Sequence, residues 1–412
     1  MAKPTIRFKG YTDDWEQRKL GDSCKLNGRI GFRGYTEKDI ISKEAGGVLT
    51  FSPTNIVDNK LTIECKNTYI TREKYDESPE IKISNGDILF VKTGSTLGKS
   101  ALVAGLKEDA SINPQIVVMR VEKDTENFMS NVLITDRVMK QVAAVKIGGA
   151  VPTMTETELK NFTYFAPAEK EEKKKIGDHF RTLDNLITLH QRKCEETKIL
   201  KKYMLQKMFP QNGQKVPEIR FKGFTDDWEQ RKLPEFVSFF NGLTYTPDDV
   251  EETGTLVLRS SNVKNGEIVD ADNVYVNDKA VTSENVHEGD IIVVVRNGSR
   301  ALIGKHAQIK ASMPNTVIGA FMSGMRSEHS SFVNALLDTS AFENEIAKNM
   351  GATINQITGY MFSKMEFMIP SGDEQQKIGE HFQSLDNLIT LHQRKCEELQ
   401  NIKKFMLQNM FV

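Results

Sequence analysis

The chain of 412 residues is long, moderately apolar and almost neutral, with 39% hydrophobic residues, 27% charged residues and a formal net charge of −1. This length predicts two or more domains, and the apolar content excludes a disordered chain. The charge excludes a histone-like protein that holds DNA by overall attraction, but it leaves room for basic groups confined to one face.

The sequence carries no sign of membrane insertion or secretion. No run of about 18 apolar residues would span a bilayer, and the opening MAKPTIRFKG has no apolar signal core. The four cysteines are sparse and form no CxxC pair. We therefore expect a cytoplasmic protein with free thiols and no membrane partner.

The first predicted element belongs to an internal repeat. Residues 6–20 read IRFKGYTDDWEQRKL, and residues 219–233 repeat them with one Tyr-to-Phe change. A second segment, LDNLITLHQRKCEE, occupies residues 183–196 and returns unchanged at residues 385–398. Each copy of the second segment runs on into a similar tail, KKYMLQKMF or KKFMLQNMF. The chain is therefore built from two equivalent halves.

Between these repeats lie two segments, residues 21–168 and 234–370, that differ strongly. They share an apolar run that begins with Gly-Asp at Gly86 or Gly289, a glycine loop after it, a long amphipathic stretch (127–146 or 330–350) and a short final strand. If the two halves of a tandem duplication had diverged uniformly, near-identical segments would not alternate with strongly different ones. We expect the identical segments to face identical partners and the divergent segments to face different ones.

Apolar residues then recur every three or four positions over residues 176–208 and again over 378–410. This seam predicts two helices of about 33 residues, or roughly 50 Å each. Gly177 and Gly379 lie near the helix starts, where a glycine costs least. Because the helices occupy equivalent places, we expect them to pair antiparallel with pseudo-two-fold symmetry.

The predicted fold class is therefore α+β, with two α/β modules joined by a long antiparallel two-helix coiled coil. The predicted segments are a first module (1–168), a central helical repeat (169–210), a linker (211–216), a second module (217–370) and a distal helical repeat (371–412).

Two patterns imitate functional motifs. His190 with Cys194, and His392 with Cys396, have the spacing of zinc ligands on one helix face, although residues that fill an apolar seam fit the pattern better. GSTLGKS, which begins at Gly94, has one residue too few for a phosphate-binding loop, so we interpret it as a turn between strands. With no methyltransferase, nuclease or hydrolase motif evident, we predict no catalytic residue and no metal site.

The glycine loops are the best candidates for contact with DNA. Glycine lets the backbone approach closely, Arg and Lys bind phosphates or guanine, and Asn and Gln suit adenine edges. Each residue alone also fits an ordinary solvated loop. The predicted DNA-binding residues are Arg29, Lys92, Thr93, Gly94, Ser95, Lys99, Asn113 and Gln115 in the first module, and Arg296, Asn297, Ser299, Arg300, Lys305 and Asn315 in the second. Further polar loop residues are Arg33, Ser52, Asn55, Asn241, Tyr245, Ser260 and Asn262.

The whole chain resembles the specificity subunits of Type I restriction–modification systems. The most specific features are the repeated WEQRKL opening, at Trp15 and Trp228, and the helical IGDHFRTLDNLITLHQRK from Ile176, which returns as IGEHFQSLDNLITLHQRK from Ile378. The resemblance implies that the modules are target recognition domains, each reading one half of a bipartite asymmetric site. It also implies that the helices form a spacer that sets the gap.

The same resemblance implies partners that carry the chemistry. Two methylation subunits would dock on the repeated regions and methylate adenine with S-adenosylmethionine, and up to two restriction subunits that use Mg²⁺ and ATP would join. This chain itself would bind double-stranded DNA and no cofactor. The alternatives are a single-chain restriction enzyme, a coiled-coil scaffold that does not touch DNA and, more weakly, a transcription regulator.

Overall fold

The computed structural model describes residues 3–28, 35–145, 152–211, 213–350 and 355–412. The chain divides into unit 1, residues 1–190 with 394–412, and unit 2, residues 191–393. Both divisions fall inside a long helix. Each unit therefore contains one module and one part of each long helix. The sequence predicts, by contrast, that each long helix forms a segment of its own.

The strands of unit 1 are β1 (Glu16–Lys19), β2 (Cys24–Asn27), β3 (Val48–Phe51), β4 (Ile56–Val57), β5 (Lys60–Leu61), β6 (Thr68–Ile70), β7 (Ile88–Val91), β8 (Ser100–Leu102), β9 (Ala110–Ile112), β10 (Ile116–Val121) and β11 (Thr163–Ala166). Its helices are α1 (Leu20–Ser23), α2 (Arg72–Asp76), α3 (Glu126–Val132), α4 (Asp136–Val145), α5 (Glu156–Asn161) and the first part of α6 (Lys170–Met208).

The strands of unit 2 are β12 (Glu229–Lys232), β13 (Ser238–Asn241), β14 (Val250–Glu251), β15 (Thr255–Leu258), β16 (Val263–Lys264), β17 (Glu267–Ile268), β18 (Val274–Val276), β19 (Ile291–Val294), β20 (His306–Gln308), β21 (Thr316–Ile318), β22 (Met322–Arg326) and β23 (Glu366–Ile369). Its helices are α7 (Ser330–Leu337), α8 (Ser340–Asn349), α9 (Gly359–Phe362) and the first part of α10 (Gly372–Met410).

The same sheets recur in both units. An antiparallel sheet has the order β2-β10-β7-β8 in unit 1 and β13-β22-β19-β20 in unit 2. A second sheet contains a parallel pair, β3 with β9 or β15 with β21. This topology confirms the predicted equivalence of the divergent segments and shows which of their strands correspond.

The apolar runs that follow Gly86 and Gly289 form the buried strands β7 and β19, as predicted. Ile88 and Phe90 face one apolar cluster of unit 1, and Leu89 and Val91 face another. Successive side chains of a strand point to opposite faces, so a strand with a core on each face must be apolar throughout.

Each amphipathic stretch contains two short helices, α3 and α4 in unit 1 and α7 and α8 in unit 2. In unit 1 the break between α3 and α4 holds Thr135, whose buried hydroxyl donates to the carbonyl of Val132 at 2.7 Å. In unit 2 Thr339 does the same with Leu336 at 2.7 Å, and its hydroxyl oxygen also accepts from the Phe342 amide at the start of α8. A threonine hydroxyl bonded to backbone groups ends one helix and caps the next.

The two long helices contain 39 residues each, more than the predicted length of about 33. The predicted seam is buried in each unit, at Ile176, Phe180 and Leu183 and at their repeats. The helices pair antiparallel inside both units, since Asp184 bonds Lys403 at 2.7 Å in unit 1 and Asp386 bonds Lys201 at 2.6 Å in unit 2. No helix in the described ranges is long and apolar enough to cross a membrane.

An aromatic cluster joins the repeated segments within each unit. In unit 1 Phe411 packs against Trp15, Phe128 and Phe180, with ring centroids 5.6–6.1 Å apart. The cluster of unit 2 has the same composition, with Phe209 packed against Trp228, Phe332 and Phe382. Each tail phenylalanine thus completes the core that contains the other tryptophan repeat. Offset and edge-on aromatic contacts of this kind add to the stabilisation from burial.

Candidate DNA-binding site

The glycine loop of unit 1 lies beside two other chain segments at the end of β7. The Lys92 amide donates to the carbonyl of Gln115 at 2.8 Å, and the Lys92 carbonyl accepts from Met154 at 2.8 Å. The Gly94 amide donates to Pro152 at 2.9 Å. These bonds bring together loop 92–99, turn 113–115 and segment 152–156, which we call face 1.

Unit 2 repeats this arrangement at the end of β19. The Val295 amide donates to Phe321 at 2.9 Å, and the Val295 carbonyl accepts from Ile357 at 2.8 Å. Loop 295–305, turn 319–321 and segment 355–357 therefore form face 2. Matching hydrogen bonds also make Thr93 equivalent to Arg296, because each forms an isolated bridge to the third segment.

A fourth segment reaches each face from the end of β3 or β15. The Asn113 amide donates to Phe51 at 2.8 Å, and the Asn297 side chain donates to the Ser260 hydroxyl at 3.1 Å. Ser52 and Ser260 therefore lie at these faces. Leu243, two residues after Asn241, also lies at face 2, because it forms an isolated bridge with Gly319. The face of each unit is thus built from the ends of several strands.

Two of the further polar candidates hold loops instead of facing a ligand. Asn55 and Asn262 are fully buried. The Asn55 carboxamide accepts from the Ser52 amide at 2.9 Å and donates to Thr62, and Asn262 makes the equivalent bond to Arg259 at 2.9 Å. A buried amide whose hydrogen bonds are made within the chain stabilises its loop, so these two residues are neither solvated nor available to a ligand.

On face 1, the predicted residues divide into internal and outward-facing ones. Lys92 forms a 3.3 Å ion pair with Glu156, and buried Asn113 donates to the Gln115 side chain at 3.1 Å. Thr93 is half-buried, and Gly94 has a φ of +105°, which glycine adopts without strain. The outward-facing residues are Ser95, Lys99 and Gln115.

On face 2, Arg296 is exposed, and its guanidinium lies 5.1 Å from the ring centre of Phe321. Asn297 orders the loop, because its side-chain oxygen accepts from the Ser299 amide at 3.0 Å. The exposed Arg300 begins a short 3-10 helix, Arg300–Leu302, and Lys305 follows half-buried. Face 2 therefore presents cationic groups that are ordered by its own backbone.

One predicted residue lies away from these faces. Asn315 lies before β21, at the end of that strand opposite Gly319 and Phe321, where it adopts a φ of +49° and accepts from the Leu256 amide at 2.9 Å. Its geometry is that of a turn residue. Arg29, with the neighbouring candidate Arg33, lies outside the described residues.

Sequence reasoning missed two exposed aromatic residues near face 2. The side chain of Phe321 is 55% exposed and that of Tyr360 is 68% exposed, with the Lys364 ammonium 4.2 Å from the tyrosine ring centre. The available signal was an aromatic residue one or two positions after a glycine, which is weak. Only the pairing of β21 and β22 with their neighbours places Phe321 beside Arg296.

The structure explains the two segments that resemble a phosphate-binding loop and a zinc site. The segment from Gly94 to Ser100 connects antiparallel strands β7 and β8, so it is the predicted turn and does not lead into a helix. The thiols of Cys194 and Cys396 are buried in the long-helix seam. Within the ranges that the structure describes, no three His, Cys, Asp or Glu side chains are grouped so as to hold a metal ion.

Comparison with known proteins agrees with the duplicated architecture. Residues 12–198 and 225–401 each match the family described as Type I restriction modification DNA specificity domain. The Type I restriction enzyme MjaVIII specificity subunit of Methanocaldococcus jannaschii is 22% identical over 95% of this chain and 91% of its own length. The StySPI specificity subunit of Salmonella potsdam is 24% identical over 43% of this chain and 40% of its own length.

A solved structure supports the same fold. The crystal structure of the Type I restriction–modification S subunit from M. genitalium matches 100% of this chain and 99% of its own, with a TM-score of 0.69 and 14% identity. The family match covers both halves of the chain, and both halves have the same sheets. The chain therefore belongs to the Type I restriction–modification DNA specificity family.

Proposed function

We propose that the chain reads a bipartite, asymmetric DNA site, with face 1 reading one half-site and face 2 the other. The observation that carries this proposal is that the two faces have the same hydrogen-bonded frame but different outward side chains. A common frame holds both faces in the same way against a duplex, whereas different side chains distinguish different bases.

The charges of the faces suit a protein that is nearly neutral overall. Lys99 on face 1, and Arg296, Arg300 and Lys305 on face 2, can contact phosphates or guanine edges. Gly94 keeps the backbone of loop 92–99 free of bulk beside the exposed Gln115, where a duplex would approach. Binding should therefore weaken with added salt, by an amount set by these few cationic groups.

We further propose that two methylation subunits dock on surfaces that the helical repeats present once in each unit. Unit 1 exposes Leu186 and Phe405, and unit 2 exposes their equivalents Leu388 and Tyr203, all between 38% and 55% exposed. Exposed apolar groups at matching positions are typical of an interface for identical partners. In this proposal the partners bind S-adenosylmethionine, Mg²⁺ and ATP, up to two restriction subunits join, and this chain is not catalytic.

Selection from a library of randomised duplexes, with the chain co-expressed with its methylation subunits, tests the proposal. Two separated blocks of preferred bases are expected, and replacing residues 234–370 with a relative's segment should change one block only. Enrichment of no sequence would favour the scaffold alternative. Methyl transfer by the isolated, uncontaminated chain would favour the single-chain enzyme.

A further inference from the structure

Gln115 and Phe321 occupy the same position of the two units, although the sequence does not align them. Each is the last residue of the connection from the parallel-paired strand, β9 or β21, to the next strand, β10 or β22. The carbonyl of each accepts from the end of the central strand, from Lys92 at 2.8 Å or from Val295 at 2.9 Å. The glycine loops between these contacts differ in length, which hides the equivalence.

The carboxamide of Gln115 is held outward by its neighbours. The buried Asn113 donates to its oxygen at 3.1 Å, and Gly94 leaves space beneath it, since a Cβ there would lie 3.3 Å from the Gln115 nitrogen. The oxygen keeps a second lone pair and the nitrogen keeps its two hydrogens. This positioned amide has the donor and acceptor needed to bond N7 and N6 of adenine.

Phe321 replaces that amide with an apolar surface. Its carbonyl accepts from both Val295 and Arg296, at 2.9 and 3.2 Å, so its backbone is anchored while its ring stands in solvent. The guanidinium of Arg296 lies over the ring and forms no ion pair within the described part of the chain. A ring of this kind can contact the methyl group of thymine, and a neighbouring arginine can pair with guanine.

We infer that positions 115 and 321 are one equivalent specificity-determining position, at which Gln115 reads an adenine in one half-site and Phe321 contacts a thymine methyl in the other. Arg296 is aimed at a base or phosphate next to that thymine. This inference rests on the proposed function, because it assumes that the two faces bind DNA. It adds the residue that selects a base in each half-site and the base that each of these residues selects.

Base preferences measured with randomised duplexes test the inference, with the full chain and its methylation subunits. Gln115→Phe should lower the preference for adenine at one position of one block, on the order of tenfold. Phe321→Gln should do the same for thymine at one position of the other block. Asn315→Ala is the control, since Asn315 is an exposed polar residue at the opposite end of β21.

Phe321→Ala is a second variant that truncates the ring without adding a polar group, and thermal unfolding identifies any variant that is not folded. If the wild-type complex selects no sequence, the proposed function fails. If it selects two blocks and folded variants at 115 and 321 keep every wild-type preference, the proposed function stands and this inference is wrong. A change in the same block by both variants would also overturn it.

Discussion

At the residue scale, unit 2 contains an ionic cluster around the buried side chain of His306. His306 lies 3.4 Å from Asp338, and Lys201 bonds both Asp338 and Asp386 at 2.6 Å. Of this cluster, the described residues of unit 1 repeat the Lys403–Asp184 pair alone. Burial lowers the pKa of His306, but the hydrogen bond and the charge of Asp338 outweigh burial and raise the pKa above its ordinary value.

This shift gives the stability of unit 2 a definite pH dependence. Because the folded pKa of His306 exceeds the unfolded value of about 6.5, its contribution is fully present below that pH and is lost as the pH rises through the raised pKa. We predict that His306→Gln flattens the slope of unfolding free energy against pH in this window. Urea unfolding at a series of pH values measures it, with the exposed His287→Gln as control. An unchanged slope in His306→Gln would contradict the assignment.

At the element scale, Gly177 and Gly379 have a role that the sequence interpretation missed. A Cβ at Gly177 would lie 2.7 Å from the backbone nitrogen of Phe128, and one at Gly379 would lie 2.7 Å from that of Phe332. These glycines are therefore needed where α3 or α7 crosses a long helix closely. The small loss of helix stability that a glycine causes near a helix start is secondary.

We predict that Gly177→Ala and Gly379→Ala each lower the unfolding free energy by about 1–3 kcal/mol, because a backbone contact cannot move aside for the new methyl group. Alanine favours a helix over glycine by about 1 kcal/mol, so propensity alone predicts the opposite sign. Gly359→Ala is the matched control, since its added Cβ meets nothing within 4 Å. Chemical denaturation compares the stability of all three variants. A stabilising effect at Gly177 and Gly379 would show that the long helix and α3 or α7 move apart to accommodate the methyl group.

At the scale of the whole molecule, the unit divisions fall between His190 and Gln191 and between Gln393 and Arg394. Seven residues inserted at both points preserve the heptad pattern and leave the contacts inside each unit intact. Each insertion adds about 10 Å of helix to a connection between the units.

We predict that this double insertion lengthens the preferred gap between half-sites by about three base pairs, at roughly 3.4 Å per base pair. Activity should fall as well. DNA has about 10.5 base pairs per turn, so three added base pairs rotate one half-site relative to the other by nearly a third of a turn. Mapping methylated sites on a random library measures the gap, and the bases of each half-site should not change. A folded, active variant with the original gap would show that the helices do not set it.

The repeated segments also have a role in packing inside each unit. The sequence predicts that identical segments serve identical partners. The structure adds an internal reason for identity, since Trp15, Phe180 and Phe411 belong to one core in unit 1 and their counterparts belong to the equivalent core in unit 2. The repeats Leu186 and Leu388 are exposed and belong to the docking surfaces proposed above.

The sequence by itself determined the duplication, the long helices, the buried central strands and the family. These features depend on local periodicity and on direct repetition, which can be read along the chain. It also indicated candidate residues in the glycine loops and in the turn before β10, and Ser95, Lys99, Gln115 and Arg296 are exposed on the two faces.

Only the tertiary structure decided which distant segments meet. Phe411 completes the core of unit 1, and Phe209 completes that of unit 2, because each antiparallel helix pair brings the far end of the other helix back to the module. Phe321 stands where Gln115 does because β21 and β22 pair as β9 and β10 do. Asn315 turns at the other end of the same strand. Hydrogen bonds between segments far apart in sequence set these positions, and loops of unequal length conceal them from any comparison made residue by residue.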